Sequence, residues 1–280
     1  MRPSLLDPLF APITSLEGVG PKVAGLIEKI VPADLGDRPA RVGDLLFVLP
    51  HTVIDRRSRP GIAGSAEGAA VRLHARDRRR ELPRQGAGPV RRRIITYDIV
   101  TLDLRVDRHQ PPPRGNRSVP YRVFAFDETG EIALTFFHAH AAYLEKALPV
   151  GEDVVVSGRM EWFNGRPSMV HPDHIALAAD AASLPLVEPV YPMTAGLSGK
   201  VLRRAIAQAL ARLPILPDWL DTDVARRHSF PPLAAALARL HDPKDPLDVS
   251  PEGAAWRRLA YDAFLAGQVS LALIRARRRK

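Results

Sequence analysis

A chain of 280 residues, 46% hydrophobic and 25% charged, has the composition of a folded protein long enough for two domains. It has no cysteine, which excludes disulfides, a thiolate nucleophile and a Cys-ligated zinc. Its net charge of +9 favours a polyanionic partner, either nucleic acid or an acidic membrane surface, because each phosphate neutralised by Lys or Arg releases counterions.

Asp7, Pro8 and Pro12 interrupt the first residues, so no apolar signal core forms there. Residues 13–30 read as two short helical pieces around Gly18-Val19-Gly20-Pro21-Lys22. Pro21 suits a first helical position, and Val23, Leu26, Ile27 and Ile30 then share one face. A third short helix is predicted over 42–49, stopped by Pro50.

From Arg56, Arg57 and Arg59 onward the pattern changes. Arg72, Arg76, Arg78, Arg79, Arg80, Arg84, Arg91, Arg92 and Arg93 follow a Gly/Ala stretch, with only Asp77 and Glu81 as acids. No period emerges, so 61–93 reads as a linker or insertion, either a phosphate-gripping patch or a solvated basic loop.

Residues 94–180 read as β. Apolar and polar residues alternate over 95–106, and strands are predicted at 121–126 and 132–137 around a turn at 127–130. A short helix covers 139–148, and 154–162 with 167–177 form a hairpin about Asn164-Gly165. Three strands, a helix and two strands is the order of a five-stranded OB barrel. From 181 onward the chain is helical again. Ser198 is placed to cap a helix whose face carries Leu202, Ile206, Ala209 and Leu210. A last helix over 254–278 carries a stripe of Trp256, Leu259, Ala260, Ala263, Phe264, Gly267, Leu271 and Ile274 that needs something to pack on. Its apolar run, broken by Gly267 and Gln268, is shorter than a membrane span. The fold class is therefore α+β: a helical region (1–60), the Arg-rich linker (61–93), an OB-type barrel (94–180) and a helical connector (181–280).

The Gly18–Lys22 turn offers backbone N–H groups at a helix start, where an anion is favoured, and Lys22 adds charge; the plainer alternative is a tight turn between packed helices. Small barrels hold single strands by stacking bases on aromatics beside basic residues. The candidates are Phe136, Phe137, Tyr143, Trp162 and Phe163, with Arg159 and Arg166 as basic neighbours. Phe136 and Phe137 are adjacent, so one of them must leave the interior, and Trp162-Phe163 lies beside a hairpin tip. Phe124 and Phe126 share a face and are assigned to the core. The pairs His138/His140 and His171/His174 lack the carboxylate or Cys partners of a metal site. Gly199-Lys200 lacks the glycine of a phosphate-binding loop, and neither a Gly-x-Ser-x-Gly nor a nuclease-like acid pair is present. No catalytic residue and no metal ligand is assigned.

The order of these features resembles the N-terminal part of the RecG family of ATP-dependent DNA helicases. The likeness is carried by 16–22, by 42–51 with Asp55-Arg56-Arg57, by Phe136-Phe137-His138 to Tyr143-Leu144, and by 190–198. His171-Pro172-Asp173-His174 and Arg258–Asp262 with Gln268 support it. The resemblance implies that the barrel is a wedge at a DNA branch point, with Phe137 and Tyr143 stacked on separated template bases. It implies branched and single-stranded DNA as partners at stalled forks and Holliday junctions, in repair and recombination. A helicase motor using ATP and magnesium would follow in cis, and the location would be cytoplasmic, with no membrane partner. No cofactor and no ATPase activity are expected of this chain, which is similar to a helicase portion without its motor. The alternatives are a single-strand-binding OB module, a nuclease of unrecognised site, and a protein-docking domain.

Overall fold

The computed structural model describes residues 3–31, 38–66, 99–113, 116, 118–137, 140–163 and 166–278. In chain order the elements are α1 (Asp7–Phe10), α2 (Pro21–Ile27), α3 (Val42–Leu45), β1 (Thr52–Asp55), α4 (Ile62–Ala66) and β2 (Ile99–Gln110). Then come β3 (Tyr121–Asp127), β4 (Gly130–Phe136), α5 (Ala141–Ala147), β5 (Asp153–Phe163), β6 (Arg166–Val170), β7 (His174–Leu177) and β8 (Val187–Val190). The last four are α6 (Gly199–Ala211), α7 (Thr222–His228), α8 (Leu233–His241) and α9 (Ala254–Arg278). The Arg-rich residues 72–93, the Asn164-Gly165 turn and His138 lie outside the described residues. The chain packs as two units, Ile54–Val187 and a discontinuous one of Met1–Val53 with Glu188–Lys280.

The first unit is the barrel. Its sheet runs β2-β3-β4-β6-β5-β7, and a further β2–β5 pairing closes it into a five-strand barrel with β7 as an extra strand. All pairs are antiparallel except β4–β6. Alternation fills the interior: Leu102, Leu104 and Val106 of β2, Val123 and Ala125 of β3, and Ile132, Leu134 and Phe136 of β4 point inward with Val154, Val156 and Met169. Each large aliphatic side chain buried there contributes about 1.5–3 kcal/mol. Leu144 and Leu148, in and just after α5, close one end of this core. Ile62 of α4 also enters it, held by Asp127, whose carboxylate accepts from the N–H groups of Ile62, Thr129 and Gly130.

Three sequence expectations change here. The first barrel strand continues to Gln110 rather than stopping at 106, because the β2–β3 ladder extends past a register shift between Val106 and Arg108. Phe124 and Phe126 are not in the core: Tyr121, Val123 and Ala125 take the inward positions of β3, leaving Phe124 half-buried and Phe126 exposed on the outer face. The predicted strand over 167–177 is two strands, broken at His171, whose φ of 47° turns the chain. Gly158 of β5 permits this corner, since a Cβ there would lie 2.8 Å from Met169 Sδ and 3.0 Å from the Pro172 Cα.

The helical unit is built around Ile27, Val42, Leu45, Leu202, Ala205, Ala236, Leu237 and Leu240, all essentially inaccessible to solvent. The predicted third helix is shorter than expected, with Leu46 and Phe47 in turns, and Ser198 stands at the N-cap of α6 without a capping hydrogen bond from its side chain. Among the buried polar groups that order this unit are Arg258 and His241. Arg258 of α9 is wholly buried and donates to both oxygens of Asp218 at 2.8 and 2.9 Å, to Asp262 at 2.8 Å and to the Pro231 carbonyl at 2.9 Å. Its guanidinium also covers the Trp219 ring, whose N–H donates to Asp262. His241 bridges Tyr191 and α3's C-terminal turn. Its Nε2–H donates to the Leu46 carbonyl at 3.0 Å, so Nδ1 accepts from the Tyr191 hydroxyl at 3.0 Å.

Beyond its first turns α9 is exposed, including Phe264, Val269, Leu271, Leu273 and Ile274. The segment Pro246–Arg278 is long and apolar enough by length and composition to cross a membrane. The uninterrupted apolar run within it is still broken at Gly267 and Gln268.

Arg258→Ala leaves two carboxylates facing a vacated buried site and is expected to destabilise the helical unit by about 3 kcal/mol in urea unfolding, with Arg258→Lys unable to restore the forked geometry. Burial pushes the His241 imidazole below its ordinary range. A depressed histidine contributes stability that is present above the unfolded pKa of about 6.5 and lost as pH falls below it. Unfolding followed through Trp219 and Trp256 is therefore expected to weaken on acidification from pH ~7.5 to ~5.5, and His241→Gln is expected to flatten that slope.

Candidate nucleic-acid interface

Phe136 and Phe137 separate as adjacent strand residues must. Phe136 is 7% exposed and belongs to the barrel core, so it leaves the set of candidate contacts. Phe137, the first residue after β4, is 44% exposed. Its surroundings are ordered by His171. The His171 N–H donates to the Thr135 carbonyl at 2.9 Å, extending the β4–β6 pairing by one bond. Its ring meets the Phe136 ring edge-on at 6.1 Å and lies tilted against the Phe137 ring at 5.9 Å. Its Nε2 accepts from the Phe137 backbone N–H at 3.1 Å.

Tyr143 lies in the first turn of α5 and is the more open of the two aromatics, at 65% exposed. The next residue, Leu144, is buried in the barrel core and fixes the helix face that Tyr143 presents. Trp162 is half-exposed near the end of β5, opposite Pro167 in the register. Phe163 pairs with Arg166 in the same register. Arg159 and Arg166 are both exposed, and Arg159 lies 3.7 Å from Glu161.

Gly18, Gly20 and Lys22 belong to the helical unit. Gly18 has φ +79°, a conformation that suits glycine, and Gly20 is extended at the N-cap of α2. Lys22 is exposed, and a Cβ on either glycine would meet nothing within 4 Å. The surface is open there, but α2 has only seven residues and thus a weak dipole.

Sequence reasoning missed three features. Arg108 lies 4.1 Å from the centroid of the Phe124 ring, and Arg105 is opposite Phe126 on the same outer face of β2 and β3. The register shift after Val106 brings Arg108 over Phe124, and the sequence gives no sign of it. The third is the contact of His171 with Phe137: the sequence weighs His171 as half of a histidine pair and as part of the family likeness, and neither points to this contact. Among the described residues no group of three or more His, Asp or Glu is arranged to hold a metal ion.

The barrel unit is thus of OB type, with an exposed aromatic where β4 ends and just ahead of the inter-strand helix α5. The model of the RecG wedge domain matches residues 118–213. The chain is 29% identical to the ATP-dependent DNA helicase RecG of Acidithiobacillus ferridurans over 95% of this chain and 33% of the relative. It is 31% identical to RecG of Escherichia coli O157:H7 over 99% of this chain and 35% of the relative. A solved structure, "Structure of RecG bound to three-way DNA junction", shares the fold with a TM-score of 0.62 and 19% identity, covering 97% of this chain and 32% of that one. The chain is thus similar along nearly its whole length to RecG helicases and, over residues 118–213, to their wedge domain, and it spans about a third of the length of the curated relatives it matches.

Gly18→Ala forces a side chain into positive φ and is expected to cost about 1 kcal/mol. Gly20→Ala has open space and ordinary backbone angles, and is expected to change stability by less than about 0.5 kcal/mol. Thermal melts of both variants check this, and they make Gly20→Ala the cleaner probe of whether the turn touches a phosphate.

Proposed function

We propose that this chain is the DNA-junction-binding portion of a RecG-type helicase. Phe137 and Tyr143 stack on bases where paired strands separate, Trp162 and Phe163 contact the displaced strand, and the barrel blocks re-pairing. Arg159, Arg166 and the Gly18–Gly20–Lys22 turn hold phosphates. The observation that carries this reading is Phe137: an exposed ring held at the end of a barrel strand, within the residues that match the wedge domain. The solved RecG of the same fold is bound to a three-way DNA junction, which supports the choice of substrate.

The relatives are ATP-dependent helicases, so the proposal extends to a motor in cis that uses ATP and magnesium. It also extends to action at stalled forks and Holliday junctions in repair and recombination, in the cytoplasm. Hydrolysis is assigned to that motor, and this chain's part is to bind and separate strands. The second reading, a single-strand-binding module without branch preference, is favoured by the Arg108–Phe124 stack on the outer barrel face.

Competition at fixed salt among a three-way junction, a four-way junction, plain duplex and single strands tests the choice. The junction is expected to bind tightest, and Phe137→Ala is expected to weaken it by roughly 1–3 kcal/mol, the worth of one stacked base. Equal affinity for single strands and junctions selects the second reading. Uniform binding of every polyanion, insensitive to Phe137→Ala and collapsing with salt, removes both.

A further inference from the structure

We propose that His171 is the positioning residue for the wedge aromatic: it accepts from the backbone of Phe137 and packs against its ring, holding that ring in the attitude that receives a base. The inference rests on the stacking role proposed for Phe137.

Three separate contacts converge on the one histidine. Its backbone N–H is bonded to Thr135, two residues before Phe137. Its Nε2 takes the Phe137 N–H, the first backbone donor after β4 ends. Its ring touches both Phe136, which is anchored in the core, and Phe137, which is not. An exposed ring on a free strand end would sample several rotamers and backbone angles, and binding a base would have to freeze them. The imidazole ties that end back to the buried part of the barrel, so much of that ordering is in place before DNA arrives.

The chemistry is specific. Nε2 must be an acceptor, which in a neutral imidazole places the proton on Nδ1. His171 also holds φ 47°, a conformation uncommon for a residue with a side chain. That angle turns the chain from β6 toward Pro172 and β7. Glycine or asparagine would make the same turn more easily, so the turn alone does not account for a histidine. A side-chain acceptor at the reach of Nε2 does.

The test uses the full chain with His171→Ala, →Gly, →Asn and →Gln, Phe137→Ala, and the double variant Phe137→Ala/His171→Ala. The glutamine oxygen falls where Nε2 lies, whereas the asparagine oxygen falls where Nδ1 lies. Two readouts are taken: junction affinity relative to single strands, and hydrogen exchange of the Phe137 amide in the free protein. His171→Ala and →Gly are expected to lower junction affinity by about the same factor as Phe137→Ala, at least roughly fivefold. They are expected to release the Phe137 amide to exchange. Gln is expected to restore both properties and Asn neither, and the double variant is expected to be no weaker than Phe137→Ala alone.

Unchanged affinity in His171→Ala, rescue by Asn as good as by Gln, or losses that add in the double variant would overturn the positioning role. If Phe137→Ala leaves junction binding intact while His171→Ala still frees the amide, the stacking role of Phe137 fails. The proposal falls with it, and His171 is then only a clamp on the strand end.

Discussion

The barrel depends on one strand. β5 pairs with β2 from Asp153 to Arg159, while Val154–Ser157 also pair with β7 and Met160–Phe163 pair with β6. The β2 pairing closes the cylinder, and the β6 pairing brings β6 alongside β4. Because two strands must share the far edge of β5, the chain between them has to leave one ladder and enter the next. Gly158 provides the room and His171 makes the bend. The candidate DNA contact at Phe137 stands beside this bend, so barrel closure and the aromatic site are set by the same few residues.

The helical unit solves a different problem. Its apolar core is made from segments far apart in sequence, and apolar packing alone tolerates sliding. Buried polar groups such as Arg258 and His241 make the arrangement particular. Arg258 requires two carboxylates and a carbonyl in fixed directions, and His241 requires a hydroxyl on one side and a carbonyl on the other. Each is costly if misplaced, which penalises alternative packings. Both the Arg258–Asp262 pair and Tyr191 fall in stretches that carried the family likeness.

The barrel was legible because alternation and turn residues report strands directly. The strand–helix–strand order, the separation of Phe136 from Phe137 and the long last helix all follow from local pattern. The interior assignment of Phe124 and Phe126 failed because either alternating set of β3 is apolar enough. The pairing with β4 sets the choice: Tyr121, Val123 and Ala125 lie opposite Phe136, Leu134 and Ile132, all of them buried. Arg108 over Phe124 depends on a register shift, and His171 under Phe137 depends on a φ angle and a cross-strand bond. Such features are set by tertiary pairing, and no residue spacing encodes them. His171 did stand out by type, but histidine pairs suggest metals first, and nothing local shows that the acceptor serves a backbone amide.

The discontinuous helical unit bears on synthesis. Met1–Val53 leaves the ribosome with apolar helices whose partners in α6, α8 and α9 have not yet been made. The barrel, contiguous from Ile54 to Val187, has all its strands by the time Val187 emerges, so it can fold while the first segment waits. Loop-closure entropy grows only slowly with chain length, and a compact barrel shortens the effective loop further. The exposed interval is therefore set by the rate of translation across the barrel, and during it α1 to α3 are the part of the chain most in need of a chaperone.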